Sequence, residues 1–285
     1  MPWPVTRPFR MRPGLARLHA PSAAPASASD HAPAHSLFLR DSLAPVYRAH
    51  KSQVLAHEAA FTQVGTPHGP ALEAIARAYA QETGVDVPAD PTALATHLQE
   101  DFVVLYDHPG GDMRTEFLSV SFASNWNPQE KLGLNFAAIH QPVADNALLQ
   151  SGARGIIDMA FRQASMLRHV WLLSPSDDLS QHPATRLQRR ATWDDALARA
   201  EQQGTTLLAQ TTFRVERQTT LPLPDLQRGA FFIRVMVCPL LAVLEQAPQR
   251  RAELHEAIAS MSDAVVDYRG MAAVRDRLLS ELAEP

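Results

Sequence analysis

Hydrophobic side chains recur every three or four positions between residues 41 and 102, which is the spacing of amphipathic helices. The pattern predicts three helices, over residues 41–64, 70–84 and 90–102. The repeating apolar face of the first helix is formed by Leu43, Val46, Tyr47, Val54 and Phe61. Helices are therefore expected to make up the first part of the main body.

The ends of these helices are marked by residues with matching backbone preferences. Pro70 suits a first helical turn, and Gly84 suits a left-handed cap after the last turn. Asp90 can accept hydrogen bonds from the free N–H groups at the start of the third helix. These residues support the predicted boundaries.

The spacing changes to that of strands after residue 100. Residues 101–123 are typical of a strand, a turn and a second strand, with HPGGD at the turn. Gly110 and Gly111 can adopt the positive φ that a tight turn needs, and His108 is interpreted as a turn residue. A further helix is predicted over residues 126–140.

Three more strands are predicted in the second half of the chain, over residues 168–174, 205–224 and 229–240. A helix at 192–204 lies between the first and the second of them, and the last 45 residues have an amphipathic helical pattern. Helices first, an antiparallel sheet in the middle and helices at the end predict an α+β fold.

Residues 20–36 are rich in Ala, Ser and Pro and poor in large apolar side chains. Such a composition is typical of a linker or a disordered segment. It separates a short arm, residues 1–19, from the rest. We therefore predict an N-terminal arm and linker over residues 1–36 and a single domain over residues 37–285.

The composition is that of an ordinary globular domain. The chain has 285 residues, of which 46% are hydrophobic, enough for a core without disulfide support. Its net charge is −4, so we expect no general attraction to polyanions. The short basic stretch at 186–190 is interpreted as a solvated surface, and nucleic-acid binding is not expected.

Cys238 is the single cysteine of the chain. It excludes an intramolecular disulfide and a cysteine-ligated iron–sulfur cluster within this chain. No stretch reaches 18 uninterrupted apolar residues, and the first residues lack the continuous apolar segment of a secretory signal. We therefore expect a cytoplasmic protein that does not span a membrane.

Charged residues occur in the predicted strand at 205–224. Alternation puts Arg214, Glu216 and Gln218 on one face and Arg217 on the other. The arrangement has two interpretations. Either the strand faces solvent and carries an Arg–Glu pair of little energetic value, or the polar residues lie over a ligand pocket and orient a polar substrate.

His140 follows an apolar run and stands two residues before Pro142. One interpretation is a partly buried histidine with a satisfied hydrogen bond. The other is a ligand to a metal or a haem iron. The local sequence leaves both open.

Two blocks of residues carry a more specific pattern, residues 122–143 and residues 213–219, the second followed by an apolar strand and by CPLLAVL at 238–244. The positions that matter are Ser124, Asn125, Trp126, Pro128, Glu130, Lys131, Gly133, Ile139, His140, Pro142, Val143, Arg214, Glu216, Arg217, Gln218 and Thr219. In this order and at this separation the blocks resemble the haem-dependent oxidative N-demethylase alpha-subunit family. The resemblance extends from about residue 38 to residue 275.

The resemblance implies a PAS-like antiparallel sheet with flanking N-terminal and C-terminal helices that binds haem b. The characterised member of the family oxidises dimethylamine to methylamine and formaldehyde, using O₂ and reducing equivalents. The chain is therefore expected to be a haem-dependent oxidoreductase acting on a small secondary amine. By position, His140 would be the proximal iron ligand, and Lys131 and Arg168 are candidates for holding the haem propionates.

The charged strand gains roles from the same resemblance. Glu216 would pair with the cationic amine. Arg214 or Arg217 would polarise O₂ or hold a propionate, and Gln218 would hydrogen-bond the distal ligand. One departure concerns an expected Arg-x-Asn-Trp stretch: residues 168–171 read RHVW, so an amide is missing and substrate choice is expected to differ if that position lines the pocket.

The chain has neither a ferredoxin-type cysteine cluster nor a Gly-x-Gly-x-x-Gly motif. Flavin and an iron–sulfur cluster are therefore expected only on partner proteins, with a partner reductase supplying the electrons. The alternative function is a haem-binding gas or redox sensor of the PAS type, or a non-catalytic haem protein. Glu216 favours the enzyme, because an amine oxidase needs an anion for its cationic substrate.

Overall fold

The computed structural model describes residues 1–18 and 36–284. Almost all of the predicted linker at 20–36 lies outside the described residues. The predicted boundary between residues 36 and 37 stays a prediction.

Strands of the described residues form one antiparallel sheet. The strand order is β1-β5-β6-β7-β3-β4-β2. The strands are β1 (Ala16–Arg17), β2 (Gln63–Gly65), β3 (Asp101–His108), β4 (Asp112–Ser119), β5 (Met166–Ser174), β6 (Thr212–Leu223) and β7 (Arg228–Pro239). The two longest strands, β6 and β7, lie in the centre, and the charged residues of the sequence pattern are on β6.

Helices flank this sheet, so the predicted α+β fold is confirmed. They are α1 (Ala44–Thr62), α2 (Gly69–Thr83), α3 (Pro91–His97), α4 (Phe136–His140), α5 (Ala147–Ile157), α6 (Trp193–Gln203), α7 (Leu240–Leu244), α8 (Gln249–Ala259), α9 (Asp263–Tyr268) and α10 (Arg275–Ala283). A π-helical turn, Asp158–Gln163, continues α5. None of the helices in the described ranges combines the length and the apolar character that a membrane crossing requires.

The two faces of the sheet differ in what covers them. Directly opposed residues of antiparallel strands share a face, so Gln218 points the same way as Arg168, and Glu216 the same way as Val170. Arg217 points to the other side, as the alternation predicts. That other side is covered near β5 and β6 by the C-terminal helices and the arm, in a core that includes Phe9, Trp171, Phe213, Val215, Leu254, Val265 and Leu278.

The N-terminal arm belongs to the folded body. Trp3 stacks on Phe213 with a distance of 5.1 Å between the ring centroids, and Phe9 is buried beside Trp171. The two residues of β1 then pair with the edge of β5. The arm therefore covers both the C-terminal core and one edge of the sheet.

Several predicted local features are confirmed. Gly110 and Gly111 have φ values of 97° and 82° in the turn between β3 and β4. Gly84 caps α2 with a φ of 69°, and the Asp90 side chain accepts hydrogen bonds from two N–H groups at the start of α3. Thr192 begins α6 with a capping box. Each of these features depends on residues that are close in the sequence.

The predicted apolar face of the first helix is partly wrong. Leu43 and Val46 are 49% and 46% exposed. The buried face of α1 instead includes Lys51, whose Nζ lies 3.0 Å from an Asp101 carboxylate oxygen. Tyr47 and Val54 of the predicted face are buried as expected, whereas the buried charge of Lys51 is one that apolar periodicity does not predict.

The helix predicted over residues 126–140 is also wrong in extent. The structure has a 3₁₀ turn, Pro128–Lys131, and then the separate helix α4. Between them Gly133 has a φ of 74°, and its N–H donates to the carbonyl of Thr115 on β4. A backbone contact with a distant strand therefore interrupts the helix.

Two further boundaries differ from the prediction. The helix predicted over residues 90–102 ends at His97, and Asp101 already begins β3. The strand predicted from residue 205 begins only at Thr212, after a 3₁₀ turn at Leu208–Gln210.

Candidate functional site

His140 is the last residue of α4. Asn135 caps the start of this short helix by accepting a hydrogen bond from the N–H of Ala138. At the other end the Nδ1–H of His140 donates to the carbonyl of Phe136 at 2.8 Å, and the two rings lie 4.0 Å apart. Because a carbonyl can only accept, the proton is on Nδ1 and the lone pair is on Nε2. Nε2 has no hydrogen-bond partner within the described part of the chain.

The imidazole of His140 is held in its neutral form. Burial lowers its pKa from 6.5 to about 4, opposed by the hydrogen bond to Phe136, and the positive charges of Arg168 and Lys131 lower it further. A neutral imidazole with an unengaged Nε2 is the form that ligates a metal. Both interpretations of His140 are therefore compatible with the structure: Nδ1 has its hydrogen bond, and Nε2 is available to a ligand.

Arg168 lies on β5, and its charge reaches His140. Its Nε is buried and has no hydrogen-bond partner among the described residues. Burial lowers the pKa of its guanidinium, and the negative charge of Glu216 opposes that effect. A buried guanidinium nitrogen with no acceptor is suited to an anion from a bound group.

Glu216 is 8% exposed and accepts two hydrogen bonds. Ser124 donates its hydroxyl to Oε1 at 2.5 Å, and Gln218 donates its Nε2 to Oε2 at 2.8 Å. Both donors are neutral, and within residues 1–18 and 36–284 no Lys or Arg forms an ion pair with this carboxylate. The negative charge of Glu216 is therefore oriented but not directly neutralised.

Arg214 is fully buried and does not present its guanidinium to open space. Its Nε donates to Ser124 Oγ at 2.8 Å. Its other bonds go to backbone carbonyls, those of Asp178, Phe122 and Leu179. Burial lowers its pKa to about 10. The expectation that Arg214 contacts O₂ or a propionate therefore finds no support in this geometry, because its donors join residues 122–124 to residues 178–179.

Arg217 lies on the opposite face of the sheet. Its Nη1 donates to the carbonyl of Leu37 at 3.0 Å, and its Nη2 donates to the carbonyl of Ser36. The role expected for Arg217 at the O₂ or propionate position likewise finds no support, because the thickness of the sheet separates its side chain from Glu216.

The structure thus brings six of the seven predicted residues to one side of the sheet, and only Arg217 lies on the other; the six are His140, Lys131, Arg168, Arg214, Glu216 and Gln218. Two further residues belong to this region. Ser124 was visible only as part of a motif, since no periodicity marks it. Tyr268, which is half exposed, was missed; its partial burial raises the pKa of its phenol, and the charge of Glu216 raises it further, opposed by Arg269. No local pattern in the sequence connects α9 with β6.

These residues fit a haem. No three His, Cys, Asp or Glu side chains of the described ranges are grouped as ligands for a bare metal ion. A haem iron brings its porphyrin nitrogens and takes an axial ligand such as histidine from the protein. His140 offers that ligand through Nε2, and Arg168 and Lys131 offer positive charge for the propionates.

A family model described as haem-dependent oxidative N-demethylase, alpha subunit-like, matches residues 74–279, which is more than two thirds of the 285 residues. The match confirms the resemblance noted in the sequence, and both motif blocks lie inside it. The chain therefore belongs to the haem-dependent oxidative N-demethylase, alpha subunit-like family.

Proposed function

We propose that this protein is a haem-dependent oxidoreductase that removes a methyl group from a small secondary amine with O₂ and electrons from a partner reductase. The family supports haem-dependent oxidative N-demethylation in general terms. The observation that carries the finer proposal is the carboxylate of Glu216, which has no ion-pair partner in the described ranges and lies on the same side of the sheet as Arg168.

His140 would hold the iron through Nε2, while its Nδ1–H bond to Phe136 fixes the plane of the ring. Arg168 and Lys131 would pair with the propionates, which gives the buried Nε of Arg168 an acceptor. A bound haem b supplies the binding and reduction of O₂. We expect the surrounding domain to be PAS-like and the protein to be cytoplasmic.

Glu216 would bind the substrate as an ammonium ion. A dialkylamine is cationic at neutral pH, and its N–H groups can donate to the carboxylate oxygens that Ser124 and Gln218 hold in place. Where the substrate nitrogen must become neutral for oxidation, the same carboxylate would take the proton. Gln218 would orient the carboxylate and hydrogen-bond the ligand on the distal side.

The electrons would come from another protein. An alpha subunit is by name one component of an assembly, and this chain has a single cysteine and no Gly-x-Gly-x-x-Gly motif, so an iron–sulfur cluster and a flavin are assigned to partners. The partner would be a reductase that delivers electrons to the haem.

The first test is the visible spectrum of protein expressed with a haem precursor, recorded before and after addition of dimethylamine. A Soret band that shifts with dimethylamine is the expected result, and sodium chloride at equal ionic strength is the control. A Soret band that no amine shifts would contradict amine oxidation and favour a haem-based sensor. No Soret band at all would contradict haem binding.

A further inference from the structure

A chain of hydrogen bonds joins Arg214, Ser124 and Glu216. Its direction follows from which of these groups can donate and which can accept. A guanidinium has only donors, so the bond from Arg214 Nε to Ser124 uses a lone pair of the Ser124 oxygen. The single hydroxyl proton of Ser124 is then free to point to Glu216 Oε1, at 2.5 Å. Glu216 Oε1 is consequently an acceptor.

We propose that Ser124 is a positioning residue that gives the site its selectivity for a cationic amine. This inference rests on the proposed role of Glu216 as the anion that binds the substrate. An arginine paired directly with Glu216 would neutralise the carboxylate and compete with the ammonium group for its oxygens. The Ser124 hydroxyl separates the two charges, orients the carboxylate and leaves its negative charge available.

The groups around Glu216 support the proposal that Ser124, and not an arginine, is its direct partner. Three groups of the described residues interact electrostatically with it: Arg168 on β5, Arg214 on its own strand and Tyr268 at the end of α9. Arg214 is held away from the carboxylate because its other donors are bound to the carbonyls of residues 122, 178 and 179. Arg168 would turn to a propionate, so the hydroxyl of Ser124 would be the constant partner of Glu216 Oε1.

The backbone also holds Ser124 in one position. The following residue, Asn125, has a φ of 60°, a left-handed conformation that asparagine adopts more readily than most residues other than glycine. Ser124 itself forms a bridge to Gln181, in the segment that Arg214 binds through the carbonyls of Asp178 and Leu179. The hydroxyl is therefore positioned by two segments that are distant in the sequence.

Three variants test the proposal: Ser124→Ala removes the hydroxyl, Ser124→Thr keeps it, and Ser180→Ala is the matched control. Ser180 is a buried serine of the neighbouring segment, and its Oγ has no hydrogen-bond partner in the described ranges. Binding of dimethylammonium chloride is measured by titration calorimetry on the haem-loaded protein. Binding of carbon monoxide to the reduced haem is measured as a neutral comparison, and haem content is determined from the Soret band.

Ser124→Ala is expected to bind dimethylamine about tenfold more weakly or worse, because a hydrogen bond to a charged group is lost. Haem content and carbon monoxide affinity should stay within about twofold of the wild type. Ser124→Thr should recover most of the amine affinity, and Ser180→Ala should keep it.

Unchanged dimethylamine affinity in Ser124→Ala would overturn the proposal for Ser124 alone. So would an equal loss of amine and carbon monoxide binding, since that is the effect of a general structural defect. If the wild type binds haem but no dimethylamine, the proposed function fails, and the inference for Ser124 fails with it.

Discussion

Two short helices of this protein end in the same local arrangement, yet they have different surroundings. In α3 the Nδ1 of His97 lies 2.8 Å from the carbonyl of Ala93, four residues earlier. In α4 the Nδ1 of His140 lies 2.8 Å from the carbonyl of Phe136, also four residues earlier. A histidine at the end of a helix can form this bond to one of the last free carbonyls of that helix.

The difference lies in what the rest of the chain places around each imidazole. His97 lies next to the Thr96 hydroxyl, and the residues beside it, Leu94 and Leu98, pack in the core that contains Phe232. His140 is near Arg168 and Lys131, on the side of the sheet that carries Glu216. The hydrogen bond at the helix end determines which ring nitrogen carries the proton. Residues from distant parts of the chain then make His140, and not His97, a candidate ligand.

The largest expected difference between the two histidines is in haem binding, which is tested by replacing each of them in turn. His140→Ala should weaken haem binding by more than about 100-fold, beyond the loss typical of an outer-shell partner, because the iron loses its ligand. His97→Ala should bind haem as the wild type does. The Soret absorbance per mole of protein, after incubation with haem, measures both. Equal haem content in the two variants, with unchanged axial ligation, would refute the assignment of His140.

The two arginines on the Glu216 side of the sheet should separate a structural role from a binding role. Arg214→Ala removes four hydrogen bonds from a buried position, and we expect the free energy of unfolding to fall by about 3–5 kcal/mol. Arg168→Ala should cost about 1 kcal/mol or less in the haem-free protein, because its Nε has no partner to lose. Denaturant unfolding followed by circular dichroism gives both values. Equal destabilisation would show that Arg168 is also structural.

Glu216→Gln tests whether the site needs a negative charge. We expect normal haem content and an affinity for dimethylamine that falls by about 10- to 100-fold, since a neutral amide cannot form an ion pair with an ammonium ion. Glu116→Gln is the control, because Glu116 is a sheet carboxylate that accepts two bonds from Arg228. The amine-induced shift of the Soret band is the measurement. A shift of wild-type affinity in Glu216→Gln would remove this residue from the substrate site.

The smallest expected effect is a pH dependence of the haem-free protein. The pKa of His140 is lowered from 6.5 to about 4, so between these values the unfolded chain binds more protons than the folded one. Folding stability should therefore fall as the pH drops from 6.5 towards 4. The His140 contribution should be about 1–2 kcal/mol, allowing for its partial exposure. His140→Ala should lose this contribution and His97→Ala should keep it. If stability depended on pH in the same way in His140→Ala and in the wild type, the lowered pKa of His140 would not be its source.

Features that depend on neighbouring residues could be predicted from the sequence, and features that depend on distant contacts could not. The turn at Gly110 and Gly111, the cap at Gly84 and the alternation along β6 follow from local backbone preferences. The break at Gly133 and the buried Lys51–Asp101 pair each involve an element that comes from elsewhere in the chain. Local periodicity carries no information about such partners.

The same division applies to the site. The sequence by itself determined that His140 ends a helix near a proline and that Glu216 and Gln218 share a face while Arg217 does not. Only the tertiary structure decided that Arg168 lies near His140, and that Arg214 reaches Glu216 through Ser124. The physical reason is that a strand's period of two determines which side a residue faces, whereas the packing of the whole chain determines what it meets there.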